Sequence, residues 1–300
     1  MGSEMCIRDR QKKAVQLTFH RCDGSTWQKT TLAKGSSYSL PGVRDAEGYT
    51  FMGWSTKPMQ SVSPQYEAEE KITVNGNVDL YAVVFNRTTE TDLTEDQLPQ
   101  VDIYKYKQVI FVGDSRTEFM ENVLTGMGES ATKNVKFVCS AGKGLDWFTT
   151  TGWAQLYSIV QHDSNSILSK KTAVIFNFGV NDLSKSADYA EYYNWIAPQL
   201  KSKGCELYFM SVNPVNRLML PNAGRADRSE AAVRSFNQYM KANLSSAYTY
   251  IDMYSYLKST GYSFASDHYG TGTVDDGLHY TTRTYKRIFA KCMDSLRVPA

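Results

Sequence analysis

From Lys107 onward, short apolar runs alternate with stripes of helical period, and that alternation admits few folds. Strands that follow one another through helices pack as βαβ units, with a parallel sheet covered on both faces. Five strand candidates stand out: 108–112 (QVIFV), 135–139 (VKFVC), 173–178 (AVIFNF), 206–211 (ELYFMS) and 248–251 (YTYI). Between them Tyr189, Tyr192, Tyr193, Ile196 and Leu200 keep one helical face, and Val233, Phe236, Met240 and Leu244 keep another. A last helix carries Tyr285, Ile288, Phe289, Cys292 and Leu296, with Thr281 or Thr282 as its N-cap. Pro198 is expected to kink or shorten its helix, because proline has no backbone donor.

The first third of the chain follows a different rule. Val15, Leu17 and Phe19 alternate with polar residues, as do Val78, Leu80 and Ala82, and glycine and proline turns lie between. This stretch reads as a small β module over residues 14–85. Residues 86–100 (NRTTETDLTEDQLPQ) are acidic and nearly free of large apolar side chains, so 86–106 is expected to be a solvated linker between independently folded halves. Residues 107–300 form the α/β domain. Residues 1–13 lack the apolar core of a signal peptide and read as a non-native leader on a truncated N-terminus.

Charge and composition remove several functional classes. Thirty-three basic against thirty-one acidic side chains leave +2, too little for a chain whose affinity comes from neutralising phosphates. No nucleic-acid partner is expected. No run reaches the roughly 18 apolar residues that a spanning helix needs, so no transmembrane segment is expected. Five scattered cysteines without a C-x-x-C pair, and four histidines without H-E-x-x-H, point to no bound metal and no cofactor.

In an open parallel sheet, ligands bind beyond the carboxyl ends of the strands. Four unusual segments fall there: Gly113-Asp-Ser115-Arg-Thr117, Ser140-Ala-Gly142-Lys-Gly144, Gly179-Val-Asn181-Asp182 and Asp275-Asp276-Gly277-Leu278-His279. Together they hold the parts of a hydrolytic site. A serine hydroxyl is a weak nucleophile until a base takes its proton, and His279 is the base candidate, with Asp276 three residues before it to hold the imidazole. Backbone N–H groups of Ser115 and Gly144 and the side-chain amide of Asn181 can receive an oxyanion. Gly142 competes with Gly144 for that role, and Asp275 with Asp276, where only the i to i+3 spacing favours the latter. Asp267-His268 reads as a solvated loop.

These four blocks, in this order, resemble the SGNH, or GDSL-like, hydrolase family over about residues 107–296. The α/β-hydrolase elbow G-x-S-x-G fits less well, since Thr117 stands at its second glycine. The resemblance implies a flavodoxin-like three-layer α/β/α domain and a metal-free serine esterase. It makes Ser115 the nucleophile, Asp276 and His279 the acid and base, and Ser115, Gly144 and Asn181 the oxyanion hole. The β module resembles the Listeria-Bacteroides type repeat of bacterial surface proteins, through Gly48-Tyr-Thr-Phe-Met-Gly-Trp54, Ile72-Thr-Val74 and Asn77-Val-Asp-Leu-Tyr-Ala82. That family implies a small β-grasp-like fold and an extracellular or cell-surface location. Val83-Val84 departs from its usual polar residue and tryptophan.

The expected substrate is an ester, with an O-acetyl group on a carbohydrate as the leading choice and a cell-wall or surface polymer bound through the repeat module. An O-acyltransferase using the same acyl-serine, and a non-catalytic surface-binding protein, are the rival readings. Arg116, Asn213 and Arg217 are candidate substrate-binding residues. Arg217, Arg225 and Arg228 lie in the long segment 212–230 after the fourth strand, placed to roof the site and to favour an acidic substrate. Trp147 and Trp153 are candidates for stacking on sugars.

Overall fold

The computed structural model describes residues 13–162, 170–269 and 272–297, so the expected leader lies almost wholly outside the described residues. The first unit contains β1 (Ala14–His20), β2 (Thr26–Ala33), β3 (Ser36–Ser39), β4 (Tyr49–Ser55), β5 (Lys71–Val74) and β6 (Val78–Asn86). Its main sheet runs β2-β1-β6-β4. The first and last strands are parallel neighbours at its centre, and β2 and β4 pair antiparallel outside them. Alternation in β1 turns Val15, Leu17 and Phe19 inward onto Trp54, Phe51 and Leu80. Trp54 is fully buried and donates from Nε1 to Pro41 O at 2.8 Å, which meets the polar need of a buried indole.

The second unit opens with β7 (Tyr106–Gly113), α1 (Ser115–Met127) and β8 (Val135–Cys139). Then α2 (Leu145–Trp147) passes through a π-helical turn at Phe148–Gly152 into α3 (Trp153–His162). There follow β9 (Lys171–Asn177), α4 (Ser186–Ser202), β10 (Cys205–Met210), α5 (Glu230–Asn243), β11 (Tyr248–Ile251) and α6 (Met253–Thr260). The chain closes with β12 (Phe264–Tyr269), β13 (Gly272–Tyr280) and α7 (Thr282–Ser295). The five expected strands form one parallel sheet in the order β11-β10-β9-β7-β8. This is the doubly wound order whose direction reverses between the first and third strands.

Strand residues alternate between two cores. Ile110, Val112, Val174, Phe176, Leu207 and Phe209 face α4 and α5, where Tyr193, Ile196, Phe236 and Met240 lie. Val109, Phe111, Ala173, Ile175, Tyr208 and Met210 face α1, α6 and α7, where Leu124, Leu257 and Phe289 lie. A layer of helices therefore covers each side of the sheet. Thr281 caps α7, accepting from Thr284 N.

Three expectations need correction. Pro198 does not shorten α4, which continues to Ser202: the proline is exposed, while Ala197 and Leu200 stay buried and hold the last turn on the core. Asp267 and His268 lie on a strand, β12, paired antiparallel with β13.

The third correction is the joint. Glu90 is 5% exposed and accepts from Arg287 Nη1 at 3.0 Å and from the hydroxyls of Ser263 and Thr284. Leu98 and Val101 are buried in the hydrolase-side core, and Met52, Val83 and Phe85 of the β module join them. Each fully buried side chain of this size stabilises by about 1.5–3 kcal/mol. Lys258 of α6, buried, sits 2.8 Å from Glu67 of the module and 3.0 Å from Glu230, and donates to Met52 O at 2.7 Å. Breaking such a buried pair costs about 3–5 kcal/mol. Most of 86–100 is exposed, as its polar composition implies, while Glu90, Leu98 and Val101 pack against partners far away in sequence and tie the segment to the hydrolase side.

Candidate active site

The reversal point of the sheet places the ends of β7 and β9 side by side. β7 ends at Gly113, where a Cβ would come within 2.0 Å of Thr117 Oγ1, so the turn into α1 tolerates no side chain there. Asp114 caps α1, accepting from Arg116 N at 3.0 Å. Ser115 is therefore the first helical residue, at the positive end of the helix dipole.

The partner of Ser115 arrives on β13. Asp275 pairs with Ser266 and Tyr280 with Phe264, so residues 276–279 stand opposite Ala265 alone. This wide bulge throws Asp276 and His279 off the ladder and towards α1. Its tight corner is Gly277, at φ +66°, where a Cβ would lie 2.5 Å from Asn216 O. His279 Nε2 lies 2.9 Å from Ser115 Oγ, and its Nδ1 lies 2.5 Å from Asp276 Oδ2. Asp276 Oδ1 accepts from the backbone N–H groups of Leu278 (2.8 Å) and His279 (2.7 Å). Burial pushes the Asp276 carboxyl up, but the hydrogen bond and charge of His279 and those two N–H groups outweigh it and hold it below the ordinary carboxylate range. An ionised carboxylate only accepts, so Nδ1 of His279 donates to it and Nε2 of the neutral ring accepts from the serine hydroxyl. All three residues are buried. The Phe119 ring lies 4.5 Å from the imidazole, and Arg225 Nη2 is 3.6 Å from Asp276 Oδ2.

The remaining two blocks meet each other beyond the ends of β8 and β9, the two strands that flank β7. Asn181 donates from Nδ2 to Lys143 O at 2.8 Å, while its Oδ1 accepts from Arg228 Nη2 at 2.8 Å. That fixes the amide's orientation, and its second N–H has no partner among the described residues. Asp182 accepts from Leu145 N at 2.9 Å and from Tyr189 OH at 2.7 Å. A Cβ on Gly144 would sit 2.3 Å from Asp182 Oδ2, so the glycine lets the second loop close on the third. Around Gly142 an added Cβ meets nothing within 4 Å, which leaves Gly144 as the glycine in contact with the Asn181-Asp182 loop.

The three candidate substrate-binding residues are placed otherwise. Arg116 is 2% exposed, and its guanidinium donates to Leu278 O, Asn213 O and Pro214 O at 2.9–3.0 Å. It staples the β13 bulge to the segment after β10. Asn213 is buried: its backbone carbonyl accepts from Arg116, while its side-chain Oδ1 has no hydrogen-bond partner among the described residues. Arg217 points to Asp227, bidentate at 2.6 Å, and to Glu69 at 3.5 Å. Arg228 is engaged with Asn181 and Val180 O. Trp147 and Trp153 pack, half-buried, against the core. Asp182, which holds the second loop through Leu145 N, received no role from sequence, and Arg228, expected to favour an acidic substrate, instead orients the Asn181 amide. The adjacent Asn181-Asp182 pair was the available signal for the first, whereas Arg228 acts across 47 positions and left none.

With this geometry in place, the chain's kinship is plain. Residues 109–292 match the GDSL-like Lipase/Acylhydrolase family, and the chain belongs to it. Residues 16–83 match the Listeria-Bacteroides repeat domain. Solved structures similar to the chain include a candidate SGNH hydrolase from Slackia heliotrinireducens, at 13% identity over 64% of this chain and 100% of that one, TM-score 0.46. Another is an acetylxylan esterase from Geobacillus stearothermophilus (11%, 65% and 96%, TM-score 0.39). A third is the C-terminal catalytic domain of Streptococcus pneumoniae peptidoglycan O-acetyltransferase A (15%, 64% and 94%, TM-score 0.37). No curated protein matches the sequence.

Proposed function

We propose that this hydrolase cleaves an ester through an acyl-Ser115 intermediate, removing an O-acetyl or similar acyl group from a carbohydrate of the bacterial surface. One observation carries the chemistry: Ser115 Oγ, His279 and Asp276 form a continuous hydrogen-bonded chain, at 2.9 and 2.5 Å, at the switch point of a doubly wound sheet. His279 Nε2 takes the Ser115 proton as Oγ attacks the ester carbonyl, and Asp276 stabilises the imidazolium that results. The oxyanion is received by the N–H groups of Ser115 and Gly144 and the free N–H of Asn181. Collapse expels the alcohol, which takes the proton from His279. Water then attacks the acyl-serine with the same base, giving the carboxylic acid and free enzyme. The carbohydrate and the surface location rest on the repeat module, which we read as β-grasp-like from its sheet order.

The test is release of acetate from a small aryl acetate and from acetylated polysaccharides, with and without an acceptor sugar. Release without acceptor is the expected result, and Ser115→Ala should lower kcat by about 10⁶-fold. Turnover only with acceptor would make the protein a transferase. Full activity of Ser115→Ala would overturn the proposed nucleophile.

A further inference from the structure

The β13 bulge has a second side, turned away from Ser115 and towards the repeat module. Asp275 Oδ2 lies 2.6 Å from Arg87 Nη2, and the same nitrogen is 2.8 Å from Asp45 Oδ2. Arg87 Nε also donates to Thr50 Oγ1 at 2.9 Å. Asp45 accepts from Phe51 N at 2.9 Å and from Asn216 Nδ2 at 2.8 Å. Asn216 then returns to the bulge, donating from its backbone N to Gly277 O at 2.9 Å. The residues flanking Asp276 on both sides are thus tied to one cluster, Asp275 through its side chain and Gly277 through its carbonyl. Asp45 and Thr50 belong to the module, and Arg87 follows its last strand directly.

The cluster is well sheltered: the side chains of Asp45, Arg87 and Asp275 are 0, 15 and 16% exposed. Charge has a role besides geometry. Asp275 is the covalent neighbour of Asp276, and the Arg87 guanidinium stands between Asp275 and Asp45. Arg87 supplies the opposing charge. Adhesion between the two units is served elsewhere, by Lys258 with Glu67 and Glu230 and by Arg287 with Glu90, and none of those bonds reaches the bulge. The Arg87 cluster ends on the turn that carries the acid and base.

We propose that Arg87 and Asp45, residues outside the hydrolase family's span, are positioning residues for catalysis: through Asp275 and Asn216 they set the bulge so that Asp276 holds His279 against Ser115. The inference rests on the reading of Asp276 and His279 as acid and base. It makes the repeat module part of the catalytic apparatus.

The experiment uses the full chain with an aryl acetate, comparing Asp275→Asn, Arg87→Gln, Arg87→Lys and the Asp275→Asn/Arg87→Gln pair. Thermal midpoints and the far-downfield proton resonance of the His279 Nδ1–H···Asp276 bond are read alongside, with Asp276→Asn identifying that resonance by its loss. Asp275→Asn and Arg87→Gln should each lower kcat about 10-fold with KM unchanged, the cost expected of a small misplacement at the reacting centre. Both should shift or broaden the resonance. The double variant should be no worse than the poorer single one, because the residues act as a unit, and Arg87→Lys should recover part of the loss. Should Arg87→Gln fail to fold, Asp275→Asn alone decides, since it keeps the side-chain size and leaves Arg87 its partner Asp45. An unchanged kcat and resonance in Asp275→Asn, with Ser115→Ala inactive, would overturn the positioning role, even if the thermal midpoint falls. An active Ser115→Ala would instead remove the reading beneath it, a result separable from the first.

Discussion

Asp275 and Asp276 are neighbours in sequence, and they face opposite sides of one bulge. Asp276 looks inward to His279 and, through it, to the proposed nucleophile Ser115, while Asp275 looks outward to Arg87 and the repeat module. The inward side is closed over three residues and could be read from the i to i+3 spacing. The outward side joins positions 45, 87 and 275, and nothing local in the sequence announces it. A catalytic turn can therefore be half legible: the proposed acid and base lie three positions apart, and the groups that aim them lie far off in sequence.

The largest expected effect sharpens this contrast. Asp276→Asn removes the charge that stabilises the imidazolium and permits the wrong tautomer, so kcat should fall by about 10⁴-fold, against about 10-fold for Asp275→Asn. Equal losses in steady-state assays would erase the distinction between the two sides. Next in size, Asn181→Ala should lower kcat by about 10²–10³-fold and leave KM nearly unchanged, because in the proposed mechanism its amide serves a charge that exists only in the transition state. A change confined to KM would make Asn181 a ground-state binding residue and separate it from the inward side.

The smallest effect concerns pH on the outward side. Burial pushes the Asp45 carboxyl up to about 6, against the hydrogen bond from Phe51 N and the charge of Arg87. Between the ordinary carboxylate range near 3.8 and about 6, the unfolded chain has lost a proton that the folded protein keeps, so stability falls as pH rises through that window. Asp45→Asn should make that fall shallower. The remaining slope comes in part from Asp114, which burial also raises to about 6. Thermal midpoints taken across pH 4–7 measure the difference, and identical slopes would show that Asp45 titrates as it does in the unfolded chain.

Much of the fold was readable because period carries burial. Val135–Cys139 and Tyr248–Ile251 match the expected strands, and the stripes of α4, α5 and α7 are the buried faces. The β12–β13 hairpin escaped notice: its apolar content is low, and its wide bulge breaks the alternation that marks a strand. Arg116 was misread for a related reason. An arginine beside a nucleophile suggests an anion, yet here it is buried and satisfied by three carbonyls supplied from 97, 98 and 162 positions away. Residue type suggests what a side chain can bind, while the choice among partners is made by tertiary structure.

The packed seam at 86–106 bears on how the protein comes apart. Met52, Val83 and Phe85 lie in the same buried cluster as Phe111 and Phe289, and Lys258 is neutralised by carboxylates from both units. Neither unit can melt without exposing apolar surface and stranding a charge in the other. Calorimetry should show one cooperative heat-absorption peak where two separable domains would give two. Limited proteolysis should leave the joint intact until that transition, and a fragment beginning after Asn86 should aggregate rather than refold. On this expectation, two family matches along one chain mark a single unit of folding.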